Sequence, residues 1–449
     1  MKILLASHLF FPLHKAGTEV LTLELAKSLR AQGSDVSIVT CSRHADTDKK
    51  EAAWLSRETY EGFDVFSINF LAGKNRNSIL HHANSPKRIA ILLELVKELS
   101  PDLVHFHHIN GFSSAAIPAV KATGLPVYFT ATDFWTICSR TNLYKPHSDS
   151  VCAGPLTPAD CLSCAAPKLP AAAIQTMLAL ANENSAKISK TLSRVKALKN
   201  RLPGMTRHLN HADGIFAATT FQADMLARYG IDKNLIHVVP YGVRLGELPE
   251  RIKIPAAFSA ENPLKICFIG SLVRIKGAHV LLESLRRLDA KSLACIEVDI
   301  YGKTSDDDYG RELMAHAANL PSTVKFAGTF PHEQIGSILR EHHACIVPSI
   351  WYENAPLVLC SAIAAGTPVV VSAYGGMTEI IEENVNGLSF ASGNSSQLAA
   401  ILERLASDPA WIHRASHTQT GSYRNPGDYC EDIQARYLSG MRPGKTELQ

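Results

Sequence analysis

The sequence predicts two doubly wound α/β domains in tandem, and three observations carry that expectation. The chain has 449 residues, too many for one ordinary hydrophobic core and suited to two. Apolar residues make up 46% and charged residues 19%, the balance of a folded globular protein. Short Val- and Ile-rich runs alternate with helix-length segments, and the runs are nearly continuous, as strands covered on both faces of a parallel sheet must be. They fall at residues 3–6, 36–40, 65–68, 103–106, 127–130, 215–218 and 237–239, then in a second series at 266–269, 298–301, 324–327, 345–347 and 369–371. Between the series, Gly242, Gly246, Pro249, Pro255 and Pro263 punctuate the chain as a linker would. The expected division is a first domain over residues 1–243 with an insert at about 138–210, a linker over 244–262, a second domain over 263–421, and a C-terminal helix within 422–449. Tyr429, Ile433 and Tyr437 have helical spacing in that last segment, which suits a helix packing back across the first domain.

Forty-five Lys and Arg stand against 42 Asp and Glu, a formal charge of +3, which excludes a general nucleic-acid binder. Residues 1–7 hold too few apolar residues for a signal peptide and read as a first strand. No apolar run reaches the roughly 18–20 residues that cross a bilayer; the longest, 169–181, contains Gln175 and Thr176. A cytoplasmic protein is expected. Its ten cysteines are then reduced thiols or metal ligands rather than disulfides.

In the second half, the strand at 266–269 runs into Gly270 and then Arg274, Lys276 and Gly277, ahead of a helix with Val280, Leu281, Leu285 and Leu288 on one side. A glycine turn, two cations and a helix N-terminus at the carboxyl end of a strand favour a diphosphate. Arg274 can fork onto phosphate oxygens, and Lys276 acts as a point charge; the bland alternative is a solvated loop with two surface cations. A second segment, Pro348-Ser349-Ile350-Trp351-Tyr352-Glu353-Asn354-Ala355-Pro356-Leu357-Val358, precedes a helix closed by Gly366. Glu353 stands just before that helix, where its carboxylate can accept sugar hydroxyl protons; a helix-capping role is the alternative.

These residues, with the Gly375-Gly376 turn and Glu379 downstream, resemble glycosyltransferase family four. The likeness covers nearly the whole chain. The loop Phe11-Pro12 to Ala16-Gly17-Thr18-Glu19 is similar to that family's FPPxxGGxE loop, and Arg274, Lys276 and Gly277 to its donor-phosphate segment. The resemblance implies two Rossmann-like domains facing across a cleft (the GT-B fold), an N-terminal acceptor domain and a C-terminal nucleotide-sugar domain. It further implies retention of configuration without a catalytic metal. Donor contacts are implied at Gly17, Arg274, Lys276, Gly277, Ala355, Leu357 and Val358, with Glu353 on the sugar. The family's second Glu, which holds the ribose, falls on Ser361. A neutral hydroxyl gives about 1 kcal/mol against about 1.5–3 for a charged acceptor, so weaker donor binding or a different nucleotide is expected.

On the acceptor side, a helix expected over 18–32 opens at Gly17, and unpaired amides there can meet an outgoing phosphate. The strand at 103–106 delivers His105, His107 and His108 to its carboxyl end, where ligands of open α/β sheets bind. By resemblance His107 contacts the sugar; the alternative is a packed histidine. Many relatives read T-x-H-D-x-W-x-x-C where this chain has Thr132 in place of the His and keeps Asp133. Asp133 is read either as a weak base holding the acceptor hydroxyl or as a helix cap.

Cys138, Cys152, Cys161 and Cys164 lie within 27 residues of the insert. That spacing suits a small structural zinc site, with isolated reduced thiols as the alternative. Residues 187–207 carry seven Lys and Arg and no acidic residue, while Ile188, Leu192, Val195, Leu198 and Leu202 line one helical face. Such a helix suits an anionic membrane, or else a core-facing helix with a wet basic side. No paired carboxylates of the retaining-glycosidase kind are evident. The expected function is retaining transfer of a hexose from a nucleotide diphosphate sugar to a glycan or lipid-linked acceptor in cell-surface polysaccharide or lipopolysaccharide synthesis. The rival is a nucleotide-sugar-binding protein without turnover. A dinucleotide dehydrogenase is disfavoured because no Gly-x-Gly-x-x-Gly turn follows the first strand.

Overall fold

A computed structural model of the chain describes residues 1–44, 53–71, 85–181, 189–318, 320, 324–418 and 424–441. They form two compact units, Met1–Pro240 with Gly427–Gln449, and Tyr241–Pro426.

The first unit is built on an eight-stranded sheet. Its strands are β1 (Lys2–Ser7), β2 (Asp35–His44), β3 (Ala53–Tyr60), β4 (Phe63–Leu71), β5 (Leu103–Phe106), β6 (Val127–Ala131), β9 (Gly214–Ala217) and β10 (Ile236–Val238), in the order β10-β9-β6-β5-β1-β2-β4-β3. A separate two-stranded hairpin pairs β7 (Tyr144–Lys145) with β8 (Ser150–Val151). The long apolar runs become parallel central strands because both faces are covered: Leu4, Leu5, Ile38, Val65 and Val104 are fully buried. β3 pairs antiparallel at the edge. Residues 55–59 of it are exposed, so it lacks the apolar run by which its neighbours are recognised. The order reverses beside β1, which places the switch point, and with it the site expected in open α/β sheets, at the carboxyl ends of β1 and β5.

The second unit holds six parallel strands, β11 (Leu264–Ile269), β12 (Ile296–Tyr301), β13 (Val324–Gly328), β14 (Ala344–Val347), β15 (Val369–Ser372) and β16 (Gly387–Phe390), in the order β13-β12-β11-β14-β15-β16. Here the reversal lies between β11 and β14. The stretch at 244–262 has no regular secondary structure, yet it lies within this unit rather than hanging free of it. Leu245 is buried, Gly336 N donates to Leu245 O at 3.1 Å, and Ile252 N donates to Arg340 O at 2.8 Å.

The final helix, Pro426–Met441, belongs to the first unit from Gly427 onward. Tyr429, Cys430, Ile433 and Tyr437 are at most 1% exposed. Tyr437 OH lies 2.5 Å from His105 Nδ1, whose Nε2 lies 2.8 Å from Thr130 Oγ1, and Tyr128 OH donates to Arg436 O at 3.2 Å. His105 is thus a structural fastener between β5 and this helix.

The insert contains helices Pro158–Ala165, Ala171–Leu180 and Lys190–Leu209. Leu162, Ile174, Ala181 and Val195 make its small core, with Leu198 packed against it. Part of the apolar face expected to meet a membrane is therefore spent inside the unit; Lys187 and Ile188 lie outside the described residues. No described helix is long and apolar enough to cross a membrane.

Tyr437→Phe should lower stability by about 1–3 kcal/mol, because it strands a buried imidazole nitrogen. Ile433→Ala should cost about 2–5 kcal/mol through the cavity it leaves. Urea unfolding of the two variants tests both; wild-type midpoints would mean that the helix is only loosely held.

Candidate active site

In the second unit two loops at the carboxyl ends of β11 and β14 are stitched together. Arg274–Lys276 forms a single 3-10 turn closed by Gly277 at φ +74°. A side-chain carbon on Gly277 would stand 1.9 Å from Pro348 O, so only glycine fits both the backbone and the space. Beyond this approach, Ile350 N donates to Ile275 O at 2.9 Å. The consequence is that Lys276 Nζ reaches Glu353 Oε1 at 2.6 Å.

Three donors converge on that oxygen: Lys276, Ser349 Oγ at 2.8 Å and Trp351 Nε1 at 2.9 Å. Lys276 Nζ also stands 5.3 Å from the centre of a Trp351 ring. Glu353 is only 5% exposed, and a carboxylate buried to that degree needs such partners. The Gly375-Gly376 turn closes behind it, since a carbon on Gly376 would lie 1.7 Å from Asn354 O.

Lys276, Ser349, Glu353, Pro356 and Val358 line one pocket floored by Phe268 and Val347. Two helices start beside these loops: Ala278–Leu285 behind Gly277, whose His279 N donates to Tyr309 Oη at 3.3 Å, and Leu357–Ala365 behind Pro356, which has no side-chain cap. The first amides of the latter, Leu357 and Val358, are suited to an anion; Ala355, just ahead, is nearly buried. Ser361 is fully buried with no hydrogen-bond partner for its Oγ. Arg274 turns elsewhere: its Nη1 bonds both oxygens of Glu312, at 3.0 and 2.9 Å. A phosphate would have to displace that carboxylate.

In the first unit Gly17 opens helix Gly17–Ala31 at the carboxyl end of β1. Glu19 Oε2 accepts from Ala16 N at 2.9 Å, and burial raises the Glu19 pKa against the opposing hydrogen bonds. Thr18 Oγ1 donates to Thr132 Oγ1 at 3.0 Å, and Thr132 in turn donates to His107 O at 3.2 Å. Thr22 Oγ1 gives its single proton to Thr18 O at 2.7 Å and lies 3.0 Å from His107 Nδ1. His107 Nδ1 must then carry the proton, which leaves Nε2 as a lone-pair acceptor, buried and without a partner.

His107 is fully buried, and burial pushes its pKa down to about 3. His105 is held well below the usual value, by burial first and then by His107. His8 shifts the same way, by burial and then by His108 and His14.

Asp133 serves two partners. Its Oδ1 accepts from Trp135 N at 2.7 Å, and its Oδ2 meets His108 Nε2 at 3.0 Å. Asn110 N donates to His108 Nδ1 at 3.0 Å, so a neutral His108 donates from Nε2 to Asp133. The ring of His8 lies 4.0 Å from that of His108, tilted by 34°. Sequence reasoning gave no role to His108, Ser349 or Trp351, although each stands next to or near a residue it did select; only their side-chain directions reveal the contacts.

In the insert, Cys138, Cys152, Cys161 and Cys164 line a single cavity. Among the described residues no three His, Cys, Asp or Glu side chains stand as a formed metal site.

A parallel doubly wound unit that gathers a lysine, a carboxylate and helix N-termini at its carboxyl edge belongs to the broad class of open α/β folds whose ligand sites lie at that edge. Family profiles name the class more closely: "Glycosyl transferase 4-like domain" matches residues 16–242 and "Glycosyl transferases group 1" matches residues 250–422. The chain belongs to this glycosyl transferase family. It is 33% identical over 172 residues to the amylovoran biosynthesis glycosyltransferase AmsK of Erwinia amylovora, covering 37% of this chain and 42% of that one. It is 26% identical over 262 residues to a D-inositol 3-phosphate glycosyltransferase of Streptomyces bingchenggensis, covering 54% and 57%. The chain thus spans about half the length of these curated relatives. The solved structure of Anabaena HepE in complex with UDP and glucose superposes with a TM-score of 0.65 at 17% identity, over 98% of this chain and 99% of that one; this shows a shared fold.

Gly277→Ala should destabilise the second unit by about 1–3 kcal/mol, since alanine is strained at this backbone angle and collides with Pro348; differential scanning calorimetry measures it, and an unshifted transition would refute the close approach. Acid should weaken the first unit. The folded pKa of His107, about 3, lies below the unfolded value near 6.5. Its stabilisation is therefore complete above about pH 6.5 and drains away as pH falls toward 3. Urea unfolding at pH 7, 6 and 5 should show this loss, and His107→Gln should flatten the slope by roughly 1.4 kcal/mol per pH unit near pH 5; identical slopes would mean that His107 is not buried as a neutral ring.

Proposed function

We propose that the chain is a retaining glycosyltransferase that moves a hexose-type sugar from a nucleotide diphosphate sugar to a glycan or lipid-linked acceptor in cell-surface polysaccharide synthesis. The observation that carries this reading is the convergence of Lys276, Ser349 and Trp351 on Glu353 beside the uncapped start of helix Leu357–Ala365. Lys276 and the amides of Leu357 and Val358 would neutralise the diphosphate, while the second oxygen of Glu353 would hold the sugar hydroxyls. Family membership and the UDP and glucose seen in HepE support a nucleotide-sugar donor. Ser361 Oγ is fully buried, so a ribose hydroxyl would reach it only if the surrounding side chains moved, and AmsK's role in amylovoran synthesis supports a polysaccharide pathway.

In this reading the first unit takes the acceptor. His107 Nε2, fully buried here, would meet a sugar hydroxyl only once its cover moves aside, and Asp133, set by His108, would orient the acceptor. With no carboxylate assigned as a nucleophile, the leaving phosphate removes the acceptor proton on the same face from which it departs, and Lys276 and Arg274, once exchanged from Glu312, stabilise its growing charge. A lipid-linked acceptor agrees with peripheral binding to an anionic membrane on the cytoplasmic side. Arg194, Lys196, Lys199 and Arg207 along Lys190–Leu209 keep surface exposure, and Leu156, Leu169 and Leu180 of the same insert are exposed.

The test is nucleotide release from UDP-, GDP- and TDP-sugars, with and without bacterial lipid extract. One donor should give turnover that rises with acceptor. Lys276→Ala and Glu353→Ala should each cut that turnover by on the order of 10²–10³-fold with the circular dichroism spectrum retained. An unchanged rate in either variant contradicts the site, and tight donor binding without turnover in any mixture would favour a nucleotide-sugar-binding protein.

A further inference from the structure

We propose that Cys138, Cys152, Cys161 and Cys164 bind one zinc ion as a structural site that holds the insert of the first unit together. The four thiols come from three separate pieces of chain. Cys138 closes a turn, its N donating to Phe134 O at 2.7 Å; Cys152 follows β8, its N donating to Leu143 O at 2.6 Å. Cys161 and Cys164 are three residues apart on helix Pro158–Ala165 and so share a face. All four line one cavity, none is in a disulfide, and each is only partly buried, which leaves the thiols room to turn. They do not stand as a formed metal group, so zinc binding would have to draw the thiols inward. Four S–H protons leave as one zinc enters, and nothing is oxidised.

Two further observations favour a metal over idle thiols. The first is the brevity of the local elements. β7 and β8 are two residues each, and the cluster made by the insert's helices holds only Leu162, Ile174, Ala181 and Val195, apart from the buried Leu143, Tyr144, Met205 and Leu209. A metal joining three short pieces of chain adds a cross-link that such a small cluster lacks. The second is charge. Zinc with four thiolates carries a net charge of minus two. Arg201, 3% exposed, stacks on Trp135 and donates to the carbonyls of Trp135 and Thr136. The ionisable groups that face it are Cys138, Cys161 and Asp133, and Arg140 faces Cys164. Cations placed so are what a zinc-thiolate centre requires around it. Four protein ligands leave no open position for water, so the ion is structural rather than catalytic. It also takes no part in the donor site, so its test is independent of any transfer assay.

Metal analysis of the full chain, grown in zinc-supplemented medium and purified without chelator, should find about one zinc per chain; less than half an equivalent overturns the proposal. Exchange for cobalt should give the intense charge-transfer band of a tetrahedral cobalt thiolate, and a weak octahedral spectrum overturns it. Cys161→Ser and Cys138→Ser should each lose the metal, while Cys295→Ser, in the second unit, should keep it; zinc retained by both of the first pair overturns the ligand set. Should those variants be insoluble, the cobalt spectrum of the unaltered chain decides. Stripping the ion with a mercurial and chelator should lower the thermal midpoint by several degrees, and an unmoved midpoint overturns the structural role.

Discussion

The second unit is organised around one buried carboxylate that must be paired. Glu353 is nearly excluded from water, and its Oε1 takes hydrogen bonds from a lysine, a serine and an indole. Withdrawing a carboxylate from water costs several kcal/mol unless partners replace the lost solvation. The loops that carry these partners therefore have to meet, and Gly277 against Pro348 and Gly376 against Asn354 are the close backbone approaches that let them. The same constraint sets the lysine that pairs with Glu353 in one pocket with Pro356 and Val358 at the start of helix Leu357–Ala365.

The first unit solves a different problem with neutral groups. His105, His107 and His8 are packed where burial disfavours their charged forms. Hydrogen bonding fixes which nitrogen of His107 bears its proton, and so turns a buried ring into an oriented acceptor. His105 spends both nitrogens on structure, tying β5 to Thr130 and to the C-terminal helix. His105 within β5 and His107 just past its end thus divide between fastening the fold and holding a buried lone pair. A polyhydroxyl ligand suits such neutral acceptors, which do not have to be stripped of a hydration shell as ions do.

The chemistry of the central residues was legible in the sequence wherever it depended on local spacing. Lys276 and Glu353 sit at the carboxyl ends of strands that announced themselves as apolar runs, and the glycines beside them mark turns. Arg274 shows the limit, because its pairing with Glu312 is made with a helix 38 positions away and leaves no local trace. Asp133 shows the same limit in another form: no helix follows it for the expected cap, and its carboxylate instead takes Trp135 N within a turn and meets His108. The polar edge strand β3 was invisible to a search for apolar runs, because an edge needs only one covered face.

By itself the sequence determined the two α/β series, the positions of Lys276 and Glu353 after strand ends, and the clustering of four cysteines, since each follows from periodicity or short spacing along the chain. Only the tertiary structure decided which partner each charged group takes, which histidine nitrogen is free, that residues 244–262 pack within the second unit, and that the last helix locks onto β5. Those outcomes turn on side-chain directions and long-range contacts, and burial makes such contacts obligatory only once the sheets are assembled.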